Sequence, residues 1–311
     1  MQENKELRAV YNEILIELAK KDPRIVTIDS DLSRAAGILA FKKEFPERWF
    51  DVGVAEANMV GLAAGLAAMG KIPFVHTFTP FITRRCFDQI TISIMYAGLN
   101  AKFIGSDPGL SAEINGGTHM SIDDINIMRA VPELAIVEPV DSAAMKSLLP
   151  QIAAYEKSVY MRLFRKKADM VYEDAPNLKI GKASVVKEGK DCAVIASGIM
   201  VFNSLEAAKA LEKDGISVKV IDMHTIKPLD CDEIIKSAKD CGKILTVENH
   251  TIIGGLGSAV AECIADNNLN VKFGRMGMLD RYGEVGFRPY LQEAFKLTVD
   301  DIVGNVKALL K

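Results

Sequence analysis

Apolar residues at the start of the chain, Leu7, Val10, Tyr11, Ile14, Leu15 and Leu18, recur at three- and four-residue spacing, the pattern of one buried helix face. The period then shortens. Residues 24–29 (RIVTID) form an apolar run of strand length, and comparable runs predict strands at 71–77, 101–106, 134–137 and 158–163, with helices between them. One of those helices, 58–69, is built largely of small residues. A charged segment at 166–181 contains Pro176 and Gly181 and reads as a linker. Beyond it, strands are predicted at 192–197, 217–222 and 243–248, and helices at 204–214, 231–239 and 256–267. The alternation predicts an α/β fold of two doubly wound domains with mainly parallel sheets, whose ligands sit at the carboxyl ends of the strands. The division runs 1–170 for the first domain, 171–184 for the linker and 185–311 for a smaller second domain.

Length and composition agree with that picture. A chain of 311 residues, 49% of them hydrophobic, suits two α/β domains with sizeable cores. The formal charge of -3 and the scatter of Lys and Arg give no footing for nucleic acid or a membrane surface, so small molecules and proteins are the expected partners. The five cysteines show no CxxC or metal spacing, which fits reduced thiols. No apolar run approaches the length of a membrane span, and a cytoplasmic location is expected.

Candidate chemistry concentrates in 51–89 (DVGVAEANMVGLAAGLAAMGKIPFVHTFTPFITRRCFDQ). Glu56 precedes the small-residue helix, and Phe78, Phe81 and Phe87 follow on a strand and loop. An acid and nearby rings can hold a flat, weakly basic heterocycle, the rings against its face and the carboxyl on its edge. Apolar surroundings for Glu56 would favour a protonated or proton-sharing carboxyl. The plainer alternatives are a first-turn acid favoured by the helix dipole and core phenylalanines. His119 lies in a Gly-rich loop before a helix expected near Ser121, a place equally suited to an ordinary surface histidine. Arg8 and Arg165 carry forked donors suited to an anionic end, or are solvated surface residues. The stretch VENHTIIGGLG, with Glu248 and His250, joins a strand to a helix through glycines. That geometry can bind an anion, and it is read as packing and subunit contact.

The runs VGVAEANMVGLAAGLA, HTFTPFITRRCFDQI and NGGTHMSIDDINIMRAVP resemble the pyrimidine-binding domain of the transketolase family, and VENHTIIGGLGSAVAE resembles its C-terminal domain. The resemblance implies thiamine diphosphate as cofactor. Glu56 would then protonate the aminopyrimidine, Phe81 would stack on it with Phe78 close by, and His119 would lie near the cofactor amino group and the donor sugar. Arg8 and Arg165 match arginines of the family's sugar-phosphate site. Phe87 is assigned to the core, His76 to a strand, and His224 with Lys227 to a structural loop, while Arg84 and Arg85 receive no role.

Three substrate-end positions depart from the pattern: Ala35 replaces a serine, Asp107 a histidine, and Asn115 an aspartate. Losing a donor and gaining a carboxylate would weaken binding of a phosphate dianion. A two-carbon ketol donor or acceptor unlike the usual pentose phosphates is therefore expected. The family's GDG motif and Asn for Mg²⁺ find no match here, and the acidic cluster IDSD lacks the glycines. The resemblance thus implies a split transketolase, in which a separate N-terminal subunit holds the diphosphate and Mg²⁺ and the two chains form an α₂β₂ heterotetramer. The rival readings are a 2-oxoacid dehydrogenase beta subunit, a deoxyxylulose phosphate synthase-like enzyme and a non-catalytic scaffold.

Overall fold

The computed structural model describes residues 2–174 and 176–311, so Ala175 of the expected linker lies outside the described residues. Two sheets organise the chain. The first contains β1 (Ile25–Asp29), β2 (Trp49–Asp51), β3 (Ile72–Phe78), β4 (Lys102–Ser106), β5 (Ala135–Val137) and β6 (Val159–Leu163). The second contains β7 (Ser184–Lys187), β8 (Cys192–Ala196), β9 (Val218–Asp222), β11 (Lys243–Thr251) and β12 (Lys272–Met278). Between β9 and β11, the short β10 (Thr225–Lys227) leaves the second sheet and joins the first.

The first sheet has the order β10-β5-β6-β4-β3-β1-β2, and the second β12-β11-β8-β9-β7. Every pairing is parallel except the two at the ends, β10 on β5 and β7 on β9. Strands β1, β4, β6, β8 and β9 are buried at every position. This is why they read as continuous apolar runs: helices cover both faces of a parallel sheet. In the first sheet β2 lies on one side of β1 and β3 on the other, so the winding reverses there and the loops after the neighbouring strands β1 and β3 diverge over a crevice.

The first helix is Leu7–Lys21, and Leu7, Val10, Tyr11 and Leu15 bury the predicted face. Lys20 and Lys21 in its last turn complement the dipole. The small-residue helix spans Glu56–Ala68, starting two residues earlier than predicted, with Glu56 in its first turn. After the aromatic loop a short helix at Phe87–Gln89 continues into a π-helix at Ile90–Tyr96. Phe87 packs on the core below the sheet, as expected. Of the loop assigned to His224 and Lys227, His224 does lie outside regular structure, whereas Lys227 is corrected: Thr225–Lys227 is a strand paired with β5, so the second half of the chain supplies an edge of the first sheet. His76 does lie on β3, where its Nε2 is 2.7 Å from the Tyr11 hydroxyl.

A polar network joins the two halves. Arg162, fully buried on β6, donates from Nε to Asp124 Oδ2 at 2.7 Å, from Nη1 to Glu138 Oε1 at 2.7 Å and from Nη2 to the Asn249 carbonyl at 2.9 Å. Glu138 also accepts from Ser197 Oγ at 2.9 Å, and Asn249 Nδ2 donates back to the Pro108 carbonyl at 2.9 Å. Two carboxylates compensate one guanidinium, and second-half groups satisfy what remains; a buried charge requires that completeness.

The glycine-rich turn has a similar logic. Glu248 accepts from the backbone N–H of Leu256 at 2.7 Å and of Gly257 at 2.9 Å, at the start of helix Leu256–Asp266. The anion at this helix N-terminus is therefore the chain's own carboxylate. A Cβ at Gly255 would overlap Glu248 Oε2 and come within 2.6 Å of His250 Nδ1, so only glycine fits. Among the described residues no helix is long and apolar enough to cross a membrane.

Candidate active site

The residues singled out in the sequence collect at the carboxyl ends of the first sheet's strands. Ala35 follows β1, Glu56 follows β2, Phe78 and Phe81 end and follow β3, Asp107 follows β4 and Arg165 follows β6. Parallel winding brings these loops to one edge although they are far apart in the chain.

Glu56 is only 4% exposed, and Arg85 Nη1 donates to its Oε1 at 2.7 Å. The expected apolar setting for this carboxyl is thus corrected, because a guanidinium compensates it. The same guanidinium lies over the Phe81 ring, 4.1 Å from the centroid. Phe81 in turn packs edge-on against His119, centroids 5.0 Å apart, and His119 meets Phe78 in the same way at 5.4 Å. Phe78 and Phe81 are 6.1 Å apart and nearly perpendicular. Aromatic edges and faces interlock in such arrangements.

His119 is half-buried, and burial together with the nearby Arg85 charge lowers its pKa, favouring the neutral imidazole. Thr118 Oγ1 lies 3.0 Å from its Nδ1. An open cleft of about 940 Å³ fronts this group, lined by Pro80, Phe81, Arg84, Arg85, Gly117, Thr118, His119 and Tyr282. Tyr282 comes from the second half of the chain, so both halves border the cleft. Arg84 points to the Asp123 carboxylate at 3.5 Å.

The other side of Phe78 is polar. Arg165 stands 4.8 Å from the Phe78 centroid and donates from Nε to Asp107 Oδ2 at 2.6 Å. Asp107 is 1% exposed and adopts a left-handed backbone (φ 53°), while burial raises its pKa against the opposing pull of Arg165. Arg8 Nη1 and Arg165 Nη1 both donate to the Ala35 carbonyl, at 2.8 and 3.2 Å. Gly37, left-handed at φ 81°, ends the short helix Ser33–Ala36; a Cβ there would come within 3.2 Å of Arg8 Cγ. Arg8, Ala35, Asp107 and Arg165 thus form one cluster. Asn115 does not join it: it is exposed at the end of the turn Gly109–Asn115 and makes no side-chain hydrogen bond to that cluster among the described residues.

One continuous path of contacts runs from Glu56 through Arg85, Phe81, His119, Phe78 and Arg165 to Asp107. Arg85 is the member that sequence reasoning missed, and the available signal was the Arg pair directly after the aromatic loop. The donor set suits an aminopyrimidine, with a buried carboxylate for its edge and aromatic faces beside it. Among the described residues no three His, Cys, Asp or Glu side chains converge as a metal site. His250 is no part of this constellation. It is buried, its Nδ1–H donates to the Thr251 carbonyl at 2.7 Å, and its Nε2 accepts from Asn126 N–H at 3.4 Å.

The transketolase pyrimidine-binding domain model matches residues 3–170, and the transketolase C-terminal domain model matches 181–302. The chain is 50% identical over 297 residues to the 6-deoxy-6-sulfo-D-fructose transketolase subunit SqwH of Clostridium sp. (strain MSTE9), covering 96% of this chain and 92% of that one. It is 40% identical over 309 residues to a putative transketolase C-terminal section of Methanocaldococcus jannaschii, covering 99% and 97%. A solved structure described as a split gene transketolase, inactive beta4 tetramer, superposes with a TM-score of 0.91 at 38% identity over 99% of both chains. The chain therefore belongs to the transketolase family, as a C-terminal subunit made of the pyrimidine-binding and C-terminal domains.

Proposed function

We propose that this chain works with a separate N-terminal subunit as a thiamine diphosphate-dependent transketolase, moving a two-carbon ketol unit from an anionic ketose to an aldose. The observation that carries the reading is the contiguous set Glu56, Phe81, His119 and Phe78 at the crevice of the first sheet. When bound, thiamine diphosphate supplies the carbanion chemistry. Glu56 would hold the ring nitrogen of the aminopyrimidine and keep or release the proton there. Phe81 and Phe78 orient the ring by face and edge contact. His119, kept neutral, presents its imidazole toward the donor sugar as hydrogen-bond donor or acceptor.

Arg8, Arg165 and Asp107 form the substrate end, and the exposed Asn115 stands apart from it. Because Asp107 engages Arg165, this end is tuned away from a phosphate dianion and toward a less demanding anion. A sulfonated ketose such as 6-deoxy-6-sulfo-D-fructose is the donor to try first, in line with the sugar named for the SqwH relative. The division at 1–170, 171–184 and 185–311 is retained, supported by the two matched ranges. The partner subunit holds the diphosphate and Mg²⁺, and the pair assembles as α₂β₂ in the cytoplasm. Near full-length matches to separately encoded subunits support the split arrangement, and five free cysteines suit a reducing compartment.

The test is reconstitution with a candidate N-terminal subunit, assayed over sulfonated, phosphorylated and neutral ketoses. Cofactor binding and ketol transfer are expected only in the mixture. Glu56→Gln should lower turnover by roughly 10² or more while assembly persists, the scale of a positioned acid or base. Full activity of that variant, or xylulose 5-phosphate and ribose 5-phosphate as the best pair, would sink the respective part of the reading.

A further inference from the structure

Arg85 touches both groups assigned to the cofactor's pyrimidine. Its Nη1 lies 2.7 Å from Glu56 Oε1 and its guanidinium carbon 4.1 Å from the Phe81 centroid. A guanidinium is flat, offers N–H donors along its edge and stacks by its face. An aminopyrimidine has the same three properties. We infer that Arg85 is a resident stand-in for the aminopyrimidine, which holds Glu56 and Phe81 and is displaced from both by the entering cofactor.

The inference rests on the cofactor reading above. It goes beyond it by assigning a displacement to a residue outside the candidate set. Arg85 is the partner able to move, since its side chain is 48% exposed whereas that of Glu56 is 5% exposed. The backbone around it is anchored: Thr83 Oγ1 donates to the Thr79 carbonyl at 2.7 Å, Cys86 is fully buried, and Arg85 N–H reaches the Pro80 carbonyl at 3.3 Å. Release is therefore a rotation of one side chain into the open cleft. Its neighbour Arg84 is committed elsewhere, to Asp123. Before loading, the contact spares Glu56 an uncompensated buried charge. It also lowers apparent cofactor affinity by the fraction of molecules in which the place is occupied.

The experiment is calorimetric titration of thiamine diphosphate with Mg²⁺ into the reconstituted complex carrying Arg85→Met, with Arg85→Gln as a second variant. The dissociation constant is expected to fall roughly fivefold, the scale of releasing one partly exposed ion pair. The gain should vanish in a Glu56→Gln background, because the two residues act as a coupled pair. Unchanged or weaker binding in both Arg85 variants would overturn the inference. Turnover of Glu56→Gln separates the two levels: retained turnover overturns the cofactor reading itself, whereas lost turnover without tightening at Arg85 overturns only the displacement.

Discussion

Arg165 donates from Nε to Asp107 Oδ2 at 2.6 Å, and the carboxylate it meets is almost wholly buried. One guanidinium of the proposed substrate end is thereby neutralised inside the chain. Asp107→Asn keeps the shape and removes the charge, freeing Arg165 for an anionic substrate. The KM for a phosphorylated ketose should fall by about tenfold, or ~1.4 kcal/mol, with a smaller change for a sulfonated one. Steady-state kinetics on both donors checks this, and an unchanged ratio between them would count against a specificity role.

His119 bridges the two phenylalanine rings from a half-exposed loop, so its loss should spare the fold. His119→Asn keeps a polar side chain and removes the imidazole. A fall of about 10² in kcat/KM is expected in the reconstituted enzyme, within the range for a positioned proton-transfer or hydrogen-bonding group. A loss of thermal stability of the same chain without a kinetic effect would assign His119 to packing instead.

Arg162 compensates two buried carboxylates, Asp124 and Glu138, and also binds the second half of the chain through the Asn249 carbonyl. Arg162→Met leaves those charges unpaired. Stability should drop by about 3–5 kcal/mol, the usual result of removing one partner from a buried ion pair. Urea unfolding would show it, and a loss below about 1 kcal/mol would mean that water or a rearranged donor replaces the guanidinium.

Acid and alkali act on different buried groups. Burial lowers His76, His224 and His250 from 6.5 to about 4, so the unfolded chain takes up protons first as pH falls. Their contribution is present above pH 6.5 and is lost between there and about 4. Burial raises Glu248 to about 7 and Asp222 to about 8, with the opposite sign: their contribution is present at low pH and is lost as pH rises through those values. Between pH 6.5 and 7 the histidines no longer change and the carboxyls lower thermal stability, while above pH 7 Lys102, which burial lowers to about 7, opposes the remaining loss from Asp222. Asp222→Asn, which retains a partner for the Tyr172 hydroxyl now 2.9 Å from Oδ2, should flatten that decline. Thermal melts at pH 6, 7 and 8 check it, and equal alkaline slopes for the variant and the wild type would refute the role of Asp222.

Much of the fold was legible because burial on both faces leaves continuous apolar runs, as at 25–29 and 192–196. Strands β2, β7, β10 and β12 were not legible because each keeps exposed or half-buried positions, unlike β5, which is as short as β2 and β10 but buried throughout. Only neighbouring strands define the three-residue β2 and β10. Their pairing depends on β1 and β5, elsewhere in the chain.

The candidate site divides in the same way. The resemblance to the transketolase family, rather than residue type alone, singled out Glu56, Phe78, Phe81 and His119, and the departures at Ala35 and Asp107 could be read from neighbouring motif residues. The pairing of Arg85 with Glu56 could not, since 29 positions separate them and an Arg pair looks the same whether solvated or engaged. The Glu248 carboxylate likewise reaches its anion-binding turn only because β11 and the following helix pack back on each other. The sequence by itself determined the α/β alternation, the apolar cores and the motifs that carry the family resemblance, because periodicity and residue chemistry are local properties. Only the tertiary structure decided which charges compensate which, because parallel winding gathers loops distant in the chain at one sheet edge, and the partner of a buried charge is fixed by that proximity.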